Sequence, residues 1–172
     1  MFEAAQYSAL ESLRDGRPVE IRALKPEDQA GLTAAVRRIS DHSLYRRFFG
    51  LKRHFSDQEI AYFLNVDFIN HVALVAVIEE DGKPVILGGG RYVVHEPGKA
   101  EIAFAVVDEY RGQGIGGALM RHLAGIAREA GLKEFTAEVL PDNISMLKVF
   151  EKSGLRLHVQ REPQALHVAL QL

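Results

Sequence analysis

The hydrophobic pattern predicts strands and helices that alternate along one α/β (α+β) domain. Residues 19–24 alternate between apolar and polar side chains, as a half-exposed strand does. Apolar runs at residues 72–78, 85–94 and 100–107 indicate three further strands, and Asp81-Gly82 between the first two is typical of a tight hairpin. The middle of the chain therefore reads as an antiparallel meander.

Helical spacing follows and precedes this meander. Residues 3–14 have helical spacing, so residues 1–16 are interpreted as a helical extension, and further helices are expected at 29–39, 43–49 and 56–65. The last of these begins with the capping box Ser56 to Glu59. After the meander the pattern predicts a helix at 115–130, a strand at 134–139, a helix at 144–152 and strands at 155–160 and 165–170. We expect a single domain over 1–172, with a mixed, largely antiparallel sheet of six to seven strands and about four helices.

The composition excludes several classes of protein. The chain has 172 residues, 47% of them hydrophobic, and a net charge of −2, which argues against binding nucleic acid through a broad basic surface. It has no cysteine, so it has no disulfide, thiolate nucleophile or cysteine-ligated metal. The seven histidines lack ligand spacing, so no metal is expected. No apolar run approaches the roughly 18 residues of a membrane span, and we expect a cytoplasmic protein that does not enter the membrane.

Four glycines in the six residues 112–117 indicate a phosphate site. They lie between a strand and a helix, where unpaired N–H groups and the helix dipole attract anions. A tight turn that needs positive φ is the structural alternative. Gly112, Gly114 and Gly117 also fit the dinucleotide pattern, with Glu138 at the distance of a ribose ligand. The antiparallel meander before the motif and the 34 residues after Glu138 count against a doubly wound sheet.

A second set of residues carries a family resemblance. Residues 111–116, Arg-Gly-Gln-Gly-Ile-Gly, match the Arg/Gln-x-x-Gly-x-Gly/Ala motif of the GNAT superfamily of acyl-CoA-dependent N-acetyltransferases. Residues 143–155 resemble the later "Asn…Tyr-Glu-Lys-x-Gly-Phe" block of that superfamily. Residues 19–76, with "IRALKPED", "SLYRRFFG" and "FLNVDF", look like the acetyltransferase domain of bacterial Pat-type protein-lysine acetyltransferases. The resemblance implies acetyl-CoA as co-substrate, a protein lysine as leading acceptor, and an acyl-CoA ligase as one candidate partner.

The resemblance also implies a cofactor site in which strands 100–107 and 134–139 splay where the first strand bulges. Pantetheine would bind the backbone of Val106 and Val107, and the N–H of Val106 would hold the thioester oxygen as it gains charge. Asn143 would hydrogen-bond the CoA arm or cap the following helix. The pyrophosphate would lie on the loop, with these residues: Arg111, Gly112, Gln113, Gly114, Ile115, Gly116 and Gly117.

A lysine-like amine with a pKa of about 10.4 must lose a proton before it attacks, so a general base is needed. Glu101 is the predicted base, because residues 100–104, "AEIAF", resemble the strand of histone-type acetyltransferases that carries their glutamate base. A solvent-facing glutamate at a strand end is the alternative. Phe150 stands where many members have a tyrosine acid, which leaves the general acid unassigned, and Tyr110 is expected to pack beside the loop. Arg46 and Arg47 either select an acidic protein or form a solvated helix face. A small-molecule amine acceptor, a CoA-sensing module with lost catalysis and a homodimer stay open.

Overall fold

The protein folds around one eight-stranded sheet in a computed structural model that describes residues 4–39, 58, 64 and 66–172. The strands are β1 (Ser8–Ser12), β2 (Pro18–Ala23), β3 (His71–Glu80), β4 (Lys83–Glu96), β5 (Lys99–Val106), β6 (Glu134–Val139), β7 (Arg156–Arg161) and β8 (Leu166–Gln171). The α-helices within the described residues are α1 (Gln29–Arg37), α2 (Ile115–Glu129) and α3 (Ile144–Glu151). Short 3-10 turns lie at Ala4–Gln6, Pro26–Asp28 and Asp108–Tyr110.

The strands are ordered β1-β2-β3-β4-β5-β6-β8-β7, and neighbours are antiparallel except β5 and β6. The predicted meander is confirmed as β3-β4-β5. Its first hairpin turns through Asp81 at φ 51° and Gly82 at φ 76°, the two positive angles that a two-residue turn of this kind requires. The parallel β5-α2-β6 unit brings the glycine loop to the centre of the sheet.

The N-terminal segment differs from its prediction: where a helical extension was expected over residues 1–16, the described residues form a 3-10 turn at Ala4–Gln6 and then β1, a strand in a hairpin. β1 pairs with β2 from Ser8 opposite Arg22 to Ser12 opposite Pro18. The turn includes Gly16 at φ 93°, a left-handed angle that suits glycine. Pairing satisfies the backbone of β2 at the sheet edge, and this long-range gain overrides a weak local helical preference. The sheet therefore has one strand more than expected.

Alternate faces of the sheet meet different helices. On β5 the side chains of Ala100, Ile102 and Phe104 are buried on the face that α2 covers. A Cβ added to Gly90 of β4 would lie 2.6 Å from Phe104 and 3.0 Å from Leu123 of α2, so strand and helix are tightly packed there. α1 lies against Ile86 of β4. Glu101 points to the face opposite α2, since successive side chains of a strand alternate.

Several sequence predictions fall outside the described residues. These are the helix over 43–49 with Arg46 and Arg47, and the capping box at Ser56 and Glu59. Of the helix expected over 56–65, only Gln58 and Leu64 are described, and both are helical. No helix in the described part of the chain is long and apolar enough to cross a membrane.

Candidate active site

A gap opens between β5 and β6 at the centre of the sheet. The two strands pair only from Lys99 opposite Glu134 to Glu101 opposite Thr136. Beyond that point β5 stays paired with β4 as far as Val106, whereas β6 stays paired with β8 as far as Val139. The splay implied by the resemblance is therefore present, and Glu101 lies in the last pair before the strands separate.

The backbone at the end of β5 distinguishes Val106 from Val107. The Val107 N–H donates to the carbonyl of Leu87 at 2.8 Å, and the Val107 carbonyl accepts from the Tyr110 N–H at 3.1 Å. Because N–H groups along a strand point alternately to its two edges, the N–H of Val106 points into the gap. Val106 is thus placed for the donor role predicted for it, whereas the N–H of Val107 is already bonded within the sheet.

The irregularity beside the gap lies in β4, and β5 itself runs regularly. The β4–β5 register is unbroken from Ala100 to Val106, so the bulge expected in β5 is absent there. The shift occurs between β3 and β4, where Leu87 is the extra residue next to Gly88. A Cβ at Gly88 would lie 2.6 Å from the carbonyl oxygen of Ala105 and 3.1 Å from the Cα of Val106. Glycine at this position lets β4 approach the end of β5 closely.

The glycine loop forms an anion cradle at the start of α2. Gly112 at φ 78° and Gly114 at φ 89° adopt the left-handed backbone that the turn needs. The first bond of α2 runs from the Ala118 N–H to the Gly114 carbonyl. Within the described part of the chain, no partner is found for the N–H groups of these residues: Gln113, Gly114, Ile115, Gly116 and Gly117. Free N–H groups at a helix N-terminus fit a pyrophosphate.

Two predicted cofactor residues already have partners in the protein. The Arg111 guanidinium lies 3.5 Å from Asp108 and is about half exposed, so it is held beside the loop. The Asn143 side chain accepts from the Met146 N–H at 3.2 Å and caps α3. Its capping role is confirmed, and its contact with the CoA arm stays a prediction.

The tyrosine general acid that the resemblance implies for many members has no counterpart at Phe150. The Phe150 ring is 1% exposed and packs on Phe104 of β5, with ring centroids 6.3 Å apart. Tyr110 is buried, and the guanidinium carbons of Arg17 and Arg38 lie 5.1 Å and 5.8 Å from its ring centroid. Tyr110 therefore packs as expected, and its hydroxyl is bonded to Arg17 at 3.3 Å.

A cavity of about 490 Å³ opens on the Glu101 face of the sheet. Its described lining is His95, Glu101, Thr136, Ala137, Glu138, His158, Val159, Gln160, His167, Val168 and Ala169. This lining contains two carboxylates and no lysine or arginine. The cavity therefore suits a positively charged guest, and it places Glu101 against that guest.

Cross-strand contacts organise the cavity wall. The Nε2 of His95 lies 3.2 Å from the Thr136 hydroxyl. His167 lies between Glu138, 3.4 Å from its Nδ1, and Glu162, 3.2 Å from its Nε2. No spacing in the sequence indicated these histidines as site residues. The alternation of strands 134–139 and 165–170 assigns Glu138 and His167 to a face of each strand, but it does not reveal that the two residues lie opposite each other.

A buried histidine supports the same face of the sheet. His71 of β3 lies across from Val93, which in turn lies across from Glu101. Burial, together with the nearby Arg91 charge, lowers the pKa of His71 to about 4. The neutral ring accepts a hydrogen bond from Arg91 at 2.9 Å. The pair therefore holds the Arg91 cation on β4, the strand next to β5. Because its pKa is lowered, His71 stays neutral near pH 7.

Comparisons with known proteins agree with this geometry. The sequence pattern described as "Acetyltransferase (GNAT) family" matches residues 35–155. The chain belongs to the GNAT acetyltransferase family. An acetyltransferase of Pseudomonas aeruginosa is 35% identical over 126 residues, which cover 73% of this chain and 68% of that protein. This GNAT protein is accordingly an N-acetyltransferase, of a family that uses acetyl-CoA.

Pat proteins are also similar to this acetyltransferase. "Acetyltransferase Pat" of Mycolicibacterium smegmatis is 32% identical over 83% of this chain, and the match spans 42% of that protein's length. The GNAT domain of S. lividans PAT superposes with a TM-score of 0.88 at 31% identity, covering both chains completely. A Salmonella typhimurium structure described with its cofactor acetyl-CoA shares the fold, with a TM-score of 0.69, 18% identity, and coverage of 90% of this chain and 92% of that one.

The described residues contain no group of three or more His, Asp or Glu arranged to hold a metal ion. The dinucleotide alternative is not supported, because Glu138 faces the cavity and His167 rather than a doubly wound sheet.

Proposed function

We propose that this protein transfers an acetyl group from acetyl-CoA to a primary amine, with a protein lysine as the leading acceptor. The observation that carries the proposal is the position of Glu101. It lies at the mouth of the β5–β6 gap, on the cavity face, while the glycine loop begins the helix that covers the other face. Co-substrate and amine would thus approach the gap from opposite sides of the sheet.

The residues present fit acetyl-CoA. The free N–H groups of the loop would hold the pyrophosphate, and the gap beside Val106 would take the pantetheine arm. Acetyl-CoA supplies a thioester carbonyl for attack. The Val106 N–H would donate to the carbonyl oxygen, a contact that strengthens as charge develops and is worth a few kcal/mol.

Glu101 would prepare the amine. An ammonium group bound in the cavity would transfer one proton to the Glu101 carboxylate, and its nitrogen would then attack the thioester carbonyl to form the C–N bond. The C–S bond would break, CoA thiolate would leave, and the nitrogen would release its second proton to water to give the neutral amide. With Phe150 in place of tyrosine, no side-chain hydroxyl is available at that position to protonate the leaving sulfur. CoA thiolate would therefore leave without help from that residue.

The acceptor class follows from charge and similarity. Among the described residues, the cavity lining carries Glu101 and Glu138 and no lysine or arginine, which favours a cationic amine. Similarity to Pat proteins supports a protein lysine, because residues 19–76 resemble the acetyltransferase domain of Pat-type protein-lysine acetyltransferases. The open cavity also suits a polyamine or an amino acid, so a small-molecule amine is the second candidate.

An acceptor screen with labelled acetyl-CoA tests the proposal. It sets acyl-CoA ligases against polyamines and amino acids, with wild type, Glu101→Gln and the control Glu129→Gln, an exposed glutamate at the end of α2. We expect Glu101→Gln to lower kcat about 10²- to 10⁴-fold at neutral pH with unchanged acetyl-CoA binding. Full turnover in Glu101→Gln would remove Glu101 as the base. Acetyl-CoA binding without transfer to any acceptor would instead favour a sensing module.

A further inference from the structure

The β1–β2 turn lies directly against the glycine loop. The Arg14 N–H donates to the Gln113 carbonyl at 3.2 Å, and the Asp15 N–H donates to the Gln113 side-chain oxygen at 3.2 Å. Both partners belong to one residue of the loop, so its main chain and its side chain are each held by the hairpin. The two hairpin residues that make these contacts lie outside residues 35–155, which match the family pattern, whereas Gln113 lies within them.

The hairpin is also fixed to α2 itself. Glu11 of β1 contacts Arg121 at 3.1 Å and His122 at 2.8 Å. The other ring nitrogen of His122 bonds to the Tyr7 hydroxyl. Hydrogen bonds from His122 and Arg121 outweigh partial burial and lower the pKa of Glu11, so the carboxylate stays charged. The hairpin therefore has a defined position relative to the first turns of α2.

This position brings the Arg14 side chain to the loop. The Nε of Arg14 lies 4.0 Å from the point that a Cβ on Gly114 would occupy. Other arginines near the loop are each paired with an acid: Arg17 with Asp15, Arg111 with Asp108 and Arg121 with Glu11. Within the described residues, no acid or hydrogen-bond acceptor is found for the guanidinium of Arg14.

We infer that Arg14, presented by the β1–β2 hairpin, is a further cofactor-binding residue that pairs with the pyrophosphate of acetyl-CoA on the glycine loop. The inference rests on the proposed use of that loop for acetyl-CoA. A guanidinium next to free N–H groups adds charge-assisted hydrogen bonds to phosphate oxygens. Arg14 is not among the residues that line the cavity with Glu101. We therefore expect it to affect binding of the co-substrate and not the chemical step.

A charge series at position 14 tests the inference. Arg14→Lys, Arg14→Gln and Arg14→Glu are compared with wild type for the Kd of acetyl-CoA by calorimetry and for kcat and KM by labelled transfer. Because the site is exposed, we expect Arg14→Gln to raise Kd and KM about three- to tenfold, Arg14→Glu to raise them further and Arg14→Lys to retain most affinity. At saturating acetyl-CoA, kcat should stay unchanged.

The control is Arg128→Gln, which removes an equal charge from the far end of α2, about 20 Å from the loop. Dephospho-acetyl-CoA, which lacks only the 3′-phosphate, should show the same loss on Arg14→Gln. The inference is overturned if the series does not follow charge, if Arg128→Gln matches Arg14→Gln, or if the loss disappears with dephospho-acetyl-CoA. Failure of the wild-type protein to bind acetyl-CoA would instead overturn the proposed function.

Discussion

Replacing Gly88 with alanine tests whether the end of β5 must lie where it does for catalysis. The new Cβ would lie 2.6 Å from the Ala105 carbonyl oxygen, whereas ordinary contact begins at 3.4 Å. Because the obstacle is backbone, β5 must move by up to about 0.8 Å at this point. The residue next to it is Val106, whose N–H points into the gap, so the proposed oxyanion donor moves with the strand.

The expected loss follows from these distances. A displacement near 1 Å at a reacting centre costs up to about 10²-fold, and complete loss of one oxyanion donor costs about 10²- to 10³-fold. We expect kcat of Gly88→Ala to fall about 10- to 100-fold, with a smaller change in the Kd of acetyl-CoA. Overpacking should also cost about 1–3 kcal/mol of the free energy of unfolding.

Labelled transfer to the best acceptor, calorimetric binding and chemical denaturation measure these three quantities. Gly125→Ala is the matched control, because a Cβ there meets nothing within 4 Å and it lies in the interior of α2. That change should leave kcat unaltered and stabilise the helix slightly. A folded Gly88→Ala protein with kcat within about twofold of the control would refute the link between this close approach and the Val106 donor.

Two further predictions concern stability. Since the pKa of His71 falls from 6.5 to about 4 on folding, the unfolded chain binds a proton that the native protein does not, and stability is lost as the pH falls between these values. Urea denaturation should show the free energy of unfolding drop by up to about 3 kcal/mol over that pH window. His71→Gln should flatten this dependence of stability on pH. The same slope in the variant as in the wild type would contradict the assignment to His71. Asp28→Ala should cost about 2–4 kcal/mol in the same assay, because it removes a buried carboxylate and leaves the partly buried guanidinium of Arg22, now bonded to Asp28 at 2.8 Å and 2.9 Å, without its partner. The control is Asp15→Ala, which breaks the exposed pair of Arg17 and Asp15 and should cost little stability. A loss of stability as large as that of Asp28→Ala would contradict the role assigned to burial of the Arg22–Asp28 pair.

Local patterns predict most of the sheet because each strand carries its own signal. The run at 134–139 is observed as β6 with the same bounds, and Asp81-Gly82 turns as its residue types require. The glycine loop is equally readable, since Gly112 and Gly114 hold left-handed angles that few other residues adopt. These features are decided within a few residues of the chain.

Features decided by long-range pairing were not predictable in this way. Residues 3–14 carry helical spacing, yet β1 forms because β2 offers it an edge. The pairing of Glu138 with His167 depends on a register that no local pattern records. The same holds for Val107, whose N–H bonds to the Leu87 carbonyl because the β4–β5 register brings these two residues together.

The place of β2 in the sheet has a consequence for how the domain can be divided. β3 is buried on both faces from His71 to Ile78, and β2 covers its outer edge. A fragment cut at residue 35, where the family match begins, would lose both strands of the N-terminal hairpin. It would leave a continuous apolar strand with unpaired N–H and C=O groups at the sheet boundary, which is a template for aggregation. The smallest unit that folds without exposing this strand edge therefore extends beyond residues 35–155 to include the hairpin.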